Sequence, residues 1–125
     1  MTSKQDKQGR LTEAVTSLRR AVPKLRGALI ATTDGLPIAQ SFDDRSDADR
    51  VAAMAATAVG LGRRINHNLG TGDLTELSVL ASGGQVSLYV IGKKGVLAVV
   101  SPMGMNLGVV NMEAREVADE VALYL

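Results

Sequence analysis

The sequence has 125 residues, 14 Lys and Arg against 13 Asp and Glu, and no cysteine. This length fits one domain, and the charge balance argues against a nucleic-acid-binding protein that works by neutralising phosphates. The absence of cysteine excludes disulfides and fits a cytoplasmic protein. No apolar run reaches the roughly 20 residues that span a bilayer, so we expect no direct membrane insertion.

The N-terminal part divides into a tail and a helix. Residues 1–9 are polar and aperiodic, and we predict a flexible tail before a single domain over residues 10–125. Apolar residues then recur at helical spacing, which predicts an amphipathic helix ended by Pro23. These residues are Leu11, Val15, Leu18 and Val22.

The next segment predicts a β-hairpin. Residues 25–32 are apolar on both faces, as is typical of a central strand. Asp34 and Gly35 favour a type I′ turn, in which both central residues have positive φ. Pro37 has no N–H to donate, so the returning strand is predicted to lie at a sheet edge.

A middle helix is predicted from Ser46 to about Gly70. The sequence SDAD fits a capping pattern in which Ser46 accepts a hydrogen bond from an early backbone N–H. Asp47 and Asp49 favour the positive end of the helix, and Gly70 suits its C-terminal end.

The remaining chain predicts three strands and a helix. The strands cover residues 74–82, 85–92 and 96–101, and short glycine-containing turns between them favour an antiparallel meander. A last amphipathic helix follows from Leu107 to about Tyr124. The order is therefore α-β-β-α-β-β-β-α.

Residues that could carry out catalysis are scarce. His67 is the single histidine, and with no cysteine a zinc site is not expected. No serine lies in a nucleophile-elbow pattern, and the glycines near His67 match neither a P-loop nor a dinucleotide fingerprint. We therefore expect a binding protein, not an enzyme, with no cofactor or metal.

The element order and two motifs resemble a known family. The segments "GALIATTDGLPIAQSF" and "LTELSVLASGGQVSLYVIGKKGVLAVVSP", separated by an Ala-rich helix, are similar to the Roadblock/LC7 domain from residue 11 to residue 125. The resemblance implies an α+β, profilin-like fold with a five-stranded antiparallel sheet of order 2-1-5-4-3. The middle helix would cover one face, and the N- and C-terminal helices the other.

The resemblance also implies a function. Family members form homodimers by pairing their third strands and middle helices. Bacterial members work with small Ras-like GTPases, and one accelerates GTP hydrolysis without lending a catalytic side chain. Actinobacterial relatives often accompany a sensor-kinase-like protein, which is a further expected partner, and eukaryotic relatives serve as dynein light chains. We therefore expect a homodimeric regulator or scaffold of a small GTPase.

The middle helix supplies the candidate site residues. On a helical wheel, a stripe containing Val51, Ala55, Ala58, Gly62, Ile65 and Leu69 is predicted to face the sheet. The residues predicted to bind the GTPase are Arg50, Met54, Thr57, Leu61 and Arg64. The residues predicted to form the dimer interface are the small side chains Ala53, Ala56 and Gly60 and the third-strand edge Ser78, Val79 and Leu80.

Alternatives remain at this point. Ala is the best helix former, so a helix lying flat on its own sheet would also be rich in alanine. Arg50 and Arg64 could be solvated helix charges, and Met54 and Leu61 could be ordinary core residues. The alternative function is a small-ligand-sensing profilin-like domain, which requires a pocket with convergent polar groups between sheet and helices.

Overall fold

The computed structural model of the chain describes residues 4–125, with side chains from Asp6 onward. In this part of the chain there are three α-helices, namely α1 (Lys4–Ala21), α2 (Ser46–Leu69) and α3 (Leu107–Val121). The strands are β1 (Gly27–Thr32), β2 (Pro37–Phe42), β3 (Glu76–Ala81), β4 (Gly84–Ile91) and β5 (Gly95–Pro102). A short 3-10 turn, Ala122–Tyr124, ends the chain.

The five strands form one antiparallel sheet in the order β2-β1-β5-β4-β3, which confirms the predicted topology. Side chains alternate across this sheet, so each face has its own core. On β4, Leu88 packs in the cluster beneath α2, whereas its neighbours Tyr89 and Ile91 pack beneath α1 and α3. The predicted placement of the helices is confirmed. None of the helices within residues 4–125 is long and apolar enough to cross a membrane.

The boundary predicted for the N-terminal tail is wrong. Helix α1 already begins at Lys4, and residues 1–3 of the expected tail lie outside the described residues. The side-chain amide of Gln8 donates a 2.6 Å hydrogen bond to the carbonyl of Ile38 on β2. This contact ties the polar first turns of α1 to the edge of the sheet, which hydrophobic periodicity alone could not indicate.

Two details of local geometry also differ from expectation. Gly35 has φ 92°, but no other residue type in the described chain has positive φ, so the turn at Asp34-Gly35 is not type I′. Ser46 does not cap α2. Instead the Asp44 carboxylate accepts hydrogen bonds from the Ser46 N–H, at 3.0 Å, and the Ser46 hydroxyl, at 2.7 Å. The cap residue itself is Arg45, whose side chain makes no capping hydrogen bond, and the side-chain acceptor at this helix end is Asp44, two residues before Ser46.

Two other local predictions are confirmed. Pro37 begins β2, which lies at an edge of the sheet. Gly70 ends α2 in the left-handed conformation, with φ 65° and ψ 31°, and its N–H donates to carbonyls of the last helical turn. Both residues act through backbone chemistry, which depends little on the rest of the fold.

Candidate functional site

Helix α2 is rotated from the orientation predicted on the helical wheel. The residues of α2 buried against the sheet are Ala48, Ala52, Ala55, Val59 and Gly62. Of the predicted stripe, Ala55 and Gly62 are buried there and Val51 and Ala58 pack half-buried against the same core, but Ile65 and Leu69 are 48% and 71% exposed. The prediction is wrong for Ile65 and Leu69 because it placed these bulky residues inside, whereas the helix lies on the sheet mainly through small side chains.

The flank of α2 that carries the small residues Ala53, Ala56 and Gly60, called the small flank below, lies against the chain's own β1–β2 hairpin. A Cβ atom added to Gly35 would lie 3.3 Å from the Cα of Ala53 and 3.6 Å from the Cβ of Ala56. The turn between β1 and β2 therefore approaches the backbone of α2, which accounts for small side chains at these two positions. Gly60 lies further along this flank, and a Cβ atom added there would meet no neighbouring atom within 4 Å.

A bulky apolar flank of α2 is open to solvent on the other side. Met54 is 63% exposed and Leu61 is 52% exposed, and Ile65 and Leu69 extend the same flank. The core alternative for Met54 and Leu61 is therefore wrong. The direction of this flank follows from two contacts on α2. Ala53 and Ala56 face the β1–β2 turn, whereas Gly62 contacts Leu74, which lies just before β3. The bulky flank is therefore the one directed towards β3.

The polar residues of the outer face of α2 are also exposed. Arg50 pairs with Asp47 one turn earlier, at 2.9 Å, and its side chain remains 69% exposed. The Thr57 hydroxyl donates to the Ala53 carbonyl at 3.0 Å, so this side chain turns back to its own helix. Arg64 is exposed. The face therefore presents cationic groups around an apolar centre, which is a common composition for protein-binding surfaces.

Strand β3 leaves one edge of the sheet open. Its residues hydrogen-bond to β4 alone, and Val79, which faces the α2 side with its partner Val86, is 52% exposed. Leu80 is 74% exposed on the opposite face. Ser78 precedes them on the same strand, so the predicted edge Ser78–Leu80 is free for backbone pairing.

The opposite edge, β2, is covered by its own chain. Gln8 donates to the Ile38 carbonyl, and Arg19 donates to the carbonyl and hydroxyl of Ser41 at 3.3 Å each. Pro37 removes a further donor from β2. Among the described residues no side chain is found hydrogen-bonded to the backbone of β3, although Arg115 on α3 pairs with the Glu76 side chain at 3.2 Å. The edge of β3 is therefore the one that the fold leaves available for another chain.

The structure does not bring the two halves of the predicted dimer interface together. Ser78, Val79 and Leu80 lie at the β3 edge, whereas Ala53, Ala56 and Gly60 lie on the flank of α2 directed towards β2. The flank adjacent to β3 carries Ile65 instead. Sequence reasoning missed Ile65 because its spacing from Ala55 and Gly62 suggested burial. A run of small residues at 48, 52, 55 and 62 was the signal for the true buried face.

The ionisable groups whose pKa values are shifted take part in contacts that support the fold. Hydrogen bonds from Ser46 lower the pKa of Asp44, and the Arg20 guanidinium and Ser17 lower the pKa of Glu13. Burial raises the pKa of Tyr89, whose hydroxyl donates to Asn111 on α3. Within the described chain, no three His, Cys, Asp or Glu side chains come together as metal ligands would.

Comparison with known proteins agrees with the fold. A family profile described as the Roadblock/LC7 domain matches residues 11–101. An uncharacterised protein of Methanocaldococcus jannaschii is 30% identical over 97 residues, which cover 78% of this chain and 84% of the relative.

Solved structures give the same result. A Roadblock/LC7 domain from Streptomyces avermitilis superimposes with a TM-score of 0.86 at 25% identity, covering 91% of this chain and 96% of that one. The gliding protein MglB from Thermus thermophilus has a TM-score of 0.88 at 16% identity, covering 99% and 94%. A profilin from Acanthamoeba castellanii has a TM-score of 0.66 at 18% identity, covering 90% and 96%.

Proposed function

This chain belongs to the Roadblock/LC7 domain family, and on that premise we propose that it is a homodimeric, non-enzymatic regulator or scaffold of a small Ras-like GTPase. The observation that carries the proposal is the adjacency of an uncovered strand edge and an exposed apolar helix flank. Such surfaces on a small domain are typical of protein–protein interfaces. We further propose that it acts in the cytoplasm, in a bacterial signalling system.

The first part of the proposal concerns the dimer. Two β3 edges would pair in an antiparallel manner, extending the sheet across two chains, and Val79 from each copy would lie near the seam. The flank of α2 directed towards β3, with Met54 and Ile65, would then approach the same flank of the second helix. One continuous interface would bury both the backbone edge and the apolar side chains.

This arrangement changes the role expected for the small side chains. Ala53 and Ala56 already contact the hairpin turn at Gly35, and Gly60 lies on the same flank, away from β3. Their assignment to the dimer interface stays a prediction. The proposed arrangement instead uses the bulkier flank.

The second part concerns the GTPase. Twofold symmetry would place the outer faces of two α2 helices side by side, and each would present Arg50, Thr57, Leu61 and Arg64, with Met54 at the border. Apolar residues at the centre of such a surface supply most of the affinity. Arginines at its rim contribute orientation and association rate. The GTPase would supply the catalytic groups, and a sensor-kinase-like protein is a further proposed partner.

The dimer is tested by measuring the mass of the purified chain with light scattering. We expect about twice the monomer mass of 13.1 kDa. Val79→Glu should give a monomer, because it places a charge in the seam. Leu36→Glu is the matched control, since Leu36 is also an exposed apolar residue but lies in the β1–β2 turn. A wild-type monomer, or equal effects of both variants, would refute the β3 interface.

The GTPase is tested by co-purification from the native organism. We expect a Ras-like GTPase to be retained by the wild-type dimer and to be lost with Leu61→Asp. Retention of the same GTPase by a folded, dimeric Leu61→Asp variant would contradict the proposed binding surface. If no GTPase is recovered, whether in its GDP-bound or its GTP-bound state, the functional proposal itself would be contradicted.

A further inference from the structure

A groove of about 840 Å³ lies between the C-terminal end of α2 and the turn joining β4 to β5. Arg63 and His67 line it from the helix, and Lys93 lines it from the turn. Leu74 and Val90 form an apolar part of its wall. Its size lies in the range of small-molecule sites, and it lies between helix and sheet, where a ligand-sensing domain requires a pocket.

The charge in this groove is mostly positive. Arg63 and Lys93 carry this charge and come from two separate elements, and Asp73 is the single acidic residue among the lining side chains. None of the ion pairs or side-chain hydrogen bonds found in the described chain involves the side chains of Arg63, His67 or Lys93. The charged groups of Arg63 and Lys93 are therefore available to an anionic ligand.

Part of the helix end that borders the groove is occupied by hydrogen bonds. A C-terminal helix end carries partial negative charge from its free carbonyl groups, which would repel an anion. Here the Gly70 N–H donates to the carbonyls of Asn66 and His67, and the Thr71 N–H donates to the Asn66 carbonyl at 3.1 Å. Two carbonyls that would oppose an anion are thus occupied.

We propose that this groove binds a small, multiply charged anion bearing phosphate or carboxylate groups. Arg63 lines the groove from α2 and Lys93 lines it from the turn between β4 and β5, so a ligand with two anionic groups would contact both, while Leu74 and Val90 would contact its less polar part. Three glycines in the wall, Gly70, Gly72 and Gly92, allow a ligand to approach the backbone closely. The proposal does not depend on the GTPase.

The test is an NMR titration of the ¹⁵N-labelled full chain. Inorganic pyrophosphate and citrate serve as separate probes, with sodium chloride at matched ionic strength as the control. The amide signals of Gly70, Gly72 and Gly92, which line the groove, should shift and saturate. The signal of Gly104, at the other end of the sheet, should not. Binding of either anion supports the proposal, and the tighter probe identifies the favoured anionic group.

Two neighbouring pairs of residues give matched variants. Arg63→Gln should weaken binding about fivefold, as loss of one charge-assisted contact implies, whereas Arg64→Gln should leave it unchanged because Arg64 does not line the groove. Lys93→Gln and Lys94→Gln form the second pair, with the same expectation.

Circular dichroism establishes that all four variants remain folded. The proposal is overturned if neither anion shifts the groove signals beyond the effect of sodium chloride. It is also overturned if both members of each pair weaken binding equally, since that result indicates general attraction to a basic surface.

Discussion

Substitution of two glycines on α2 tests the rotation of this helix, which determines the residues it presents. Leucine is a far better helix former than glycine, so either Gly60→Leu or Gly62→Leu gains about 0.8 kcal/mol of helix propensity. At Gly60 nothing lies within 4 Å of the added Cβ atom. We therefore expect Gly60→Leu to raise the free energy of unfolding by about 0.8 kcal/mol.

At Gly62 the surroundings are different. The added Cβ atom would lie 3.0 Å from one methyl of Leu74 and 3.5 Å from the other. Gly62 is buried against the sheet, so a leucine side chain there would require Leu74 and its neighbours to move. Overpacking of this kind costs about 1–3 kcal/mol, which exceeds the gain in propensity. Gly62→Leu should therefore lower the free energy of unfolding by about 1 kcal/mol, leaving the two variants about 2 kcal/mol apart.

The measurement is urea unfolding followed by circular dichroism, comparing midpoints at equal slopes. Several protein concentrations are needed, because dimerisation makes stability depend on concentration. Equal stabilities of the two variants would refute this rotation of α2. Destabilisation by Gly60→Leu at every concentration would show instead that the small flank is covered.

Three further predictions concern local contacts. Asp44→Ala should lower the free energy of unfolding at neutral pH. The difference from wild type should disappear as the pH falls through the pKa of Asp44, which its hydrogen bonds hold below the usual range, and unfolding titrations at several pH values would measure this. Tyr89→Phe removes the hydrogen bond to Asn111 and should lower the free energy of unfolding in urea by about 1 kcal/mol. Because burial raises the pKa of Tyr89, absorbance titration of the folded wild type should show one tyrosine ionising at higher pH than in the unfolded protein. Gly70→Ala should cost about 1 kcal/mol in the same unfolding assay, since alanine is strained at φ 65°.

The sequence predicted most of the fold because many of its signals are local. Pro37 indicates an edge strand through its missing donor, and Gly70 indicates a helix end through its conformational freedom, whatever surrounds them. The number of strands and the antiparallel pairing of β3, β4 and β5 followed from short turns that leave few alternative pairings. The family resemblance supplied the strand order 2-1-5-4-3, which single-element patterns could not.

The setting of α2 on the sheet could not be predicted in the same way. A helical wheel ranks faces by hydrophobicity, but Ala52 and Ala55 are buried because the helix lies close to the sheet, and that distance is a tertiary property. Ile65 is apolar and exposed because it lies beside an open strand edge. The Asp44 acceptor was missed for a simpler reason, since an aspartate and a serine two residues apart are equally plausible acceptors in sequence.

The binding surface on α2 is tested most directly by the affinity of the chain for its co-purified GTPase, compared between Leu61→Asp and Leu123→Asp. Both residues are exposed leucines, but Leu61 lies on α2 and Leu123 follows α3. With both variants folded and dimeric, we predict that Leu61→Asp abolishes binding and that Leu123→Asp leaves it unchanged. Loss of binding with Leu123→Asp alone would contradict the account and place the partner on the face of α1 and α3.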